Sequence, residues 1–429
     1  VIGLVLLACN GTSGDTGTAS TDSGTPGVTG TGTPHSPTET GTTDTAVPTD
    51  TDDRHDQDLD SFRDMLGGDL APEDGLALVA ANGGWPIPTD DGFLFVRLDD
   101  PKGPYRLSGD HNGWALDDLE QADGFWWAQV VIDAPTDSLY KFVDAAGDFS
   151  PDKHARRYGY DEFGEYSLVE AQAAHLERWP DISDGVVDAR TVRVWVPDDP
   201  VTHQLYAHDG QNLFDPDAIW GGWNLQASLG SSTLVIGIDN TWARIEEYTH
   251  VTDTLDGVTY GGDGDAYADF VQDHVRPFIE GEYGVADTVG TLGSSLGGLI
   301  ALHIVLRHRA RWDFAGCMSG TLGWGSIEQA NETLIQRYQA GGHIPTALYL
   351  DSGGSDGGGC TDSDGDGTWD DTLASHDNYC ETIQMVETLE SVGFEWDTDL
   401  WHWWEPDASH DELAWGARVW RPLEVFEAL

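Results

Sequence analysis

Three segments of this chain carry residue types that together could perform acyl transfer. Gly293-Ser294-Ser295-Leu296-Gly297-Gly298 follows the short apolar run Val289 to Leu292 and opens a stretch, Leu299 to His308, with apolar residues at helical spacing. The G-x-S-x-G spacing sets a serine on a tight strand-to-helix turn, because small flanking residues permit the strained backbone and leave Oγ exposed above the sheet edge. Such a serine needs a base, a carboxylate that orients the base, and donors for the tetrahedral oxyanion. His376, His402 and His410 follow it in the chain. His410 stands in Asp407-Ala408-Ser409-His410-Asp411, between the aromatic run LWHWW and a terminal helical pattern, where a loop can project toward the serine, so it is the expected base. His402 alternates within that run and reads as packed. The acid is expected after ALYLDSGGSD, with Asp356 preferred and Asp351, at the strand end, as its rival.

Alternating strands and helices must position these groups. TVRVWVP, HQLYAHD, STLVIGID, TVGTLG, FAGCMS and IPTALYLDSG read as strands, and helical segments are expected around Tyr267 to Tyr283, Leu296 to His308, Ile327 to Ala340, Glu381 to Val392 and Asp411 to Leu429. That alternation predicts a parallel sheet covered on both faces.

YAHDGQNLFD (Tyr206 to Asp215), VIGIDNTWARIEEYT (Val235 to Thr249), GDAYADFVQDHVRPFIEGEYG (Gly264 to Gly284), GTLGSSLGG (Gly290 to Gly298) and the terminal SHDELAW resemble the esterase family that contains esterase D, feruloyl esterases and enterochelin esterases. The resemblance spans nearly all of residues 175–429. It implies an α/β-hydrolase fold, hydrolysis of carboxylic esters without a catalytic cofactor, and a triad of Ser295, Asp356 and His410, with Gly353-Gly354-Ser355-Asp356 matching the family's Gly-x-x-Asp pattern. It also implies oxyanion donors at the amides of Leu296 and Gln211. Arg244, Glu247 and Tyr248 match a family segment near the site, and Arg244 and Tyr248 are taken as substrate-binding. The alternative from another class is a carbohydrate- or ligand-binding surface lipoprotein on a degenerate hydrolase scaffold.

In front of this domain (173–429), residues 85–172 hold short β-like runs, FLFVRL, YRLSG, FWWAQVVI and SLYKFVD, separated by turn residues as in a β-sandwich. They resemble the isoamylase/glycogen-binding type of immunoglobulin-like domain. Gly109-Asp110-His111-Asn112-Gly113-Trp114 puts an indole on a tight turn beside polar side chains, a surface suited to stacking on a sugar, so Trp114 is a candidate substrate contact. Trp126 and Trp127, adjacent on a strand, should face opposite ways. Residues 10–84 read as a disordered tether rich in Thr, Gly, Ser and Asp. Within it Asp56, Asp58 and Asp60 read as solvated charge. The opening VIGLVLLACN resembles a bacterial lipoprotein signal (1–9) with Cys9 as lipid anchor, which implies an exported protein held at the outer membrane or cell surface, touching membrane only through that lipid.

Lys+Arg 20 against Asp+Glu 76 gives a formal charge of -56, which repels nucleic acid and anionic lipid; the partner that the resemblance implies is a small-molecule or carbohydrate-linked ester. Cys360 and Cys380 flank an acidic insert and are expected to form a disulfide, with Cys317 a buried free thiol. In that insert, Asp362, Asp364, Asp366 and Asp370 around Gly367 follow the start of a calcium loop, a site for a structural calcium ion. Leu373 stands where such a loop ends in glutamate.

Overall fold

The computed structural model describes residues 51–355, 359–371 and 377–429. The lipoprotein-type segment, Cys9 and the tether as far as residue 50 lie outside the described residues. The remainder of the expected tether is helical. Thr51–Gly67 and Pro72–Ala81 are helices, and Phe62, Met65, Leu76, Val79 and Ala80 bury against Trp85, Leu94, Val96 and Phe125. Leu59, Phe62, Met65 and Leu66 recur at the spacing of one helix face, a pattern masked by the polar residues between them. Asp58 is accordingly not solvated: it accepts from Asn82 Nδ2 (2.9 Å) and Gly83 N (3.1 Å), and burial pushes its carboxyl up to about 6.

The four front runs form strands Gly92–Leu98, Arg106–Gly109, Phe125–Val130 and Leu139–Val143. Gly92–Leu98 and Phe125–Val130 belong to a four-stranded sheet whose faces alternate residue by residue. Phe93 and Phe95 meet Tyr105, Leu107, Tyr140 and Phe142 of the second sheet, while Leu94 and Val96 face the helix pair. Trp126 and Trp127 do point opposite ways, yet neither is simply outward: Trp126 packs on the sandwich core and Trp127 on the helices.

The second sandwich sheet does not end at residue 172. Arg157–Asp161 pairs with His175–Ile182, Leu176 opposite Tyr158, so the sandwich and the following region share one 14-stranded sheet. Beyond that seam lie eight strands: His175–Ile182, Arg190–Val196, His203–His208, Thr233–Ile238, Thr288–Ser294, Phe314–Met318, Ala347–Ser352 and Leu400–Trp404. Their spatial order is first, second, fourth, third, fifth, sixth, seventh, eighth, all parallel from the third onward. This is an α/β-hydrolase sheet. The central strands are buried on both faces, with the helix Leu296–Arg307 among the residues covering one face and the terminal Trp420–Phe426 the other.

Two helical expectations are corrected. The segment from Ile327 becomes helical only at Leu334–Gly341, since the Asp253 carboxylate accepts from the amides of Gly325, Ile327, Glu328 and Gln329 and fixes that stretch as a loop. The terminal segment splits into Glu412–Arg418 and Trp420–Phe426.

Candidate active site

Ser295 closes the strand Thr288–Ser294 and caps the helix Leu296–Arg307 with φ 55 and ψ -122, a conformation uncommon for a residue with a side chain. The flanking glycines make that turn sterically accessible. A Cβ on Gly293 would lie 2.4 Å from the Gly297 backbone, and one on Gly298 would lie 2.9 Å from Cys317 Sγ. Cys317 is the buried free thiol, and burial pushes it far above the usual thiol range.

His410 reaches the serine from the loop after Leu400–Trp404. Its Nε2 lies 2.9 Å from Ser295 Oγ, and its Nδ1 lies 2.7 Å from Asp377 Oδ1. A carboxylate at Nδ1 fixes the tautomer that leaves Nε2 free to accept a proton. The carboxylate that stands at the His410 imidazole is Asp377, whereas Asp356, the expected acid, lies outside the described residues together with His376. Asp351, its rival, is fully buried at its strand end, taking Arg418 Nε (3.1 Å) and Tyr349 OH (3.2 Å). His402 stays in its strand, where burial lowers it to about 4.

Asp377 stands at the far end of the acidic insert, just before the helix Tyr379–Ser391. The disulfide Cys360–Cys380 ties the two arms of the insert together. Asp371 accepts from the amides of Tyr379 (3.1 Å) and Cys380 (2.8 Å), and Asn378 Nδ2 donates to Ser319 O (2.9 Å). Gly353 permits the closest approach: its amide donates to Asp377 Oδ2, and a Cβ there would lie 2.4 Å from Ala408 O. Gly354 N donates to Ala408 O (3.1 Å), so the acid loop and the histidine loop are fastened to each other.

The amides of Leu296 and Gln211 sit in first turns, where no earlier carbonyl of the same helix can accept from them. The loop bearing Gln211 is braced by buried hydrogen bonds. Asp209, at φ 59, takes Arg244 Nε (2.7 Å) and Nη2 (2.8 Å), its amide donates to Tyr248 OH (3.2 Å), and Asn212 Nδ2 donates to Glu412 Oε1 (3.1 Å). A Cβ on Gly297 would lie 3.3 Å from Asp209 Oδ2, which sets this loop against the elbow. Burial pushes the Glu412 carboxyl up to about 7.

Arg244 and Tyr248, expected to bind substrate, are both buried and brace the Asp209 loop. Trp114 is half-exposed, bonded to Asp110 (2.9 Å), on the turn after Arg106–Gly109. That strand lies eight places along the sheet from Thr288–Ser294. In the insert, Asp362, Asp364 and Asp366 each bring a carboxylate oxygen within 4.8 Å of the others. Asp370, outside that group of three, accepts from Ser363 N (2.8 Å).

Residues 184–413, more than half of the chain, match the family model described as "Putative esterase". The chain belongs to that esterase family. No curated protein matches it in sequence. Solved structures similar to this esterase-family chain include an IroE-like serine hydrolase from Shewanella oneidensis (15% identity, TM-score 0.45, covering 59% of this chain and 80% of that one). The enterobactin esterase FES from Shigella flexneri is similar at 15% identity and TM-score 0.41, covering 78% and 93%. The siderophore hydrolase EstA from Aspergillus nidulans is similar at 17% and 0.45, covering 59% and 94%.

Proposed function

We propose that this esterase-family member is a serine carboxylic-ester hydrolase working through an acyl-enzyme. The observation that carries the reading is the continuous chain Ser295 Oγ, His410, Asp377, at 2.9 and 2.7 Å, beside an elbow that opens the helix Leu296–Arg307. In this reading His410 takes the Ser295 proton as Oγ attacks the ester carbonyl, and the amides of Leu296 and Gln211 hold the oxyanion. Protonated His410 then delivers its proton to the departing alcohol. Water, deprotonated by the same imidazole, clears the acyl group. Asp377 holds the ring and stabilises its charged form, and no cofactor is required. A hydrogen-bonded chain of this kind is what a degenerate, binding-only scaffold would have lost.

Ser295→Ala is expected to fold normally and abolish turnover of p-nitrophenyl acetate. Activity above about a tenth of the parent would contradict the reading.

The substrate is proposed to be an extracytoplasmic ester on a carbohydrate or siderophore-like scaffold. An exported, Cys9-lipidated protein at the outer membrane or cell surface is supported by the Cys360–Cys380 disulfide, since such bonds persist in oxidising compartments. Radiolabelled lipid that fails to appear on Cys9 in a bacterial host would remove that address. A structural calcium ion on Asp362, Asp364 and Asp366 would steady the insert that carries Asp377, and a melting temperature indifferent to chelator would count against it.

A further inference from the structure

We propose that Arg418 is a positioning residue of the Ser295 site: one guanidinium bridges two buried carboxylates, Asp351 and Asp377, and thereby fixes Asp377 against His410. The inference rests on the reading of Ser295 as nucleophile.

The Arg418 side chain is 3% exposed and both carboxylates are 0% exposed. Nε donates to Asp351 Oδ1 (3.1 Å), and Nη2 donates to Ser319 Oγ (2.7 Å) and Asp377 Oδ2 (3.3 Å). Trp415 Nε1 also donates to Ser319 Oγ (3.1 Å). With two donors on its oxygen, the Ser319 hydroxyl has its proton left for Asp377 Oδ2, 2.7 Å away. The Gly353 amide donates to the same oxygen. Oδ2 is thus held from three directions, and Oδ1 is left for His410.

Two carboxylates in one water-poor site require a counter-charge, and the guanidinium fork of Arg418 reaches both at once. Asp351 stands at the strand end where an orienting acid was sought, but acts here as the second anion on Arg418. Burial and the neighbouring Asp377 push it up to about 6 despite Arg418. The other groups facing this pair are His410 from its loop, Tyr349 from the strand Ala347–Ser352, Asp371 from the insert and Cys317 from the strand Phe314–Met318. Without Arg418 the site holds uncompensated negative charge. A proton is then retained either by the carboxylate pair or by the imidazole facing it. A proton on the imidazole removes the base and a proton on the carboxylates removes the charge that orients and stabilises it, so either outcome moves the acid limb of the rate profile upward.

The test is the pH profile of kcat/KM for p-nitrophenyl acetate in the full chain and in Arg418→Lys, Arg418→Met, Asp351→Asn and the double variant Arg418→Met with Asp351→Asn. Melting and fluorophosphonate labelling of Ser295 are followed alongside. Arg418→Met should raise the acid limb by about one pH unit or more and lower the neutral-pH rate about tenfold or more. Adding Asp351→Asn should return the limb most of the way and recover most of the rate. Arg418→Lys should hold the limb near its original position. An unmoved limb in Arg418→Met, or no recovery in the double variant, overturns the proposal. If Arg418→Met does not fold, Asp351→Asn alone decides: removing the like charge should lower the acid limb, and an unmoved limb overturns the proposal. A parent chain that labels and turns over nothing at Ser295 contradicts the reading of the site and the role of Arg418 with it.

Discussion

Ser295 is held at φ 55 by contacts that a single methyl group on Gly293 would break, so its placement is a property of backbone packing. The base is placed just as locally, by a short loop between a strand and a helix. The acid is different. Asp377 comes from the end of an insert whose arms are closed by Cys360–Cys380, and it too is left-handed, at φ 56. Asp377→Asn is expected to lower kcat for p-nitrophenyl acetate about 10⁴-fold, as loss of the orienting carboxylate does in such triads. Asp356→Asn should stay within about twofold of the parent. Rates from the two variants in parallel check this, and the reverse ranking would return the acid to Asp356. The serine and histidine were legible because their signals are contiguous with the strands and helices that carry them. Asp377 was not, because proximity along the chain to the strand end favoured Asp351 and Asp356. The available signal was the Asp377-Asn378 pair immediately before a helix, on the far side of a loop that a disulfide folds back.

The insert and the helix after it place several carboxylates in a water-poor setting. Burial, then the neighbouring Asp371, push Glu381 up to about 8, and its carboxylate accepts from Gly323 N (2.7 Å). A carboxyl whose folded value is raised stabilises the protein below its unfolded value, and that contribution is lost as pH rises through the folded value. Melting temperature should therefore fall between about pH 5 and about pH 8, and Glu381→Gln should flatten the fall without abolishing it, since Asp58, Asp351 and Asp371 act with the same sign. A slope unchanged by Glu381→Gln would refute this. Among elements, the apolar β-branched runs were read correctly as strands. His175–Ile182 was not, because its alternation of Leu176, Arg178 and Pro180 with Glu177 and Asp181 carries no continuous apolar run. The helices Thr51–Gly67 and Pro72–Ala81 were hidden by a composition continuous with the polar segment before them, and only the spacing of Leu59, Phe62 and Met65 distinguishes them.

For the whole molecule, a sandwich and a hydrolase sheet joined strand to strand make one continuous framework, whereas residue patterns suggested two neighbouring units. Single-sequence patterns report which face of a strand is buried but carry little about which strand lies beside it. The formal charge of -56 acts on every approaching substrate. Neutral feruloyl and acetyl-xylan esters are expected to be turned over with a higher kcat/KM than an anionic ferric siderophore ester at low salt, and added salt should narrow the gap by screening. Competing rates across such a panel measure this, and a preference for the anionic ester that salt leaves unchanged would show that local contacts outweigh the field.

The most direct measurement of the central claim is the position of the covalent adduct formed by a fluorophosphonate probe on the intact chain, mapped by peptide mass spectrometry. The account predicts one adduct, on Ser295, lost in His410→Ala. An adduct on another residue, or labelling of Ser295 that persists at the parent rate without His410, would contradict it.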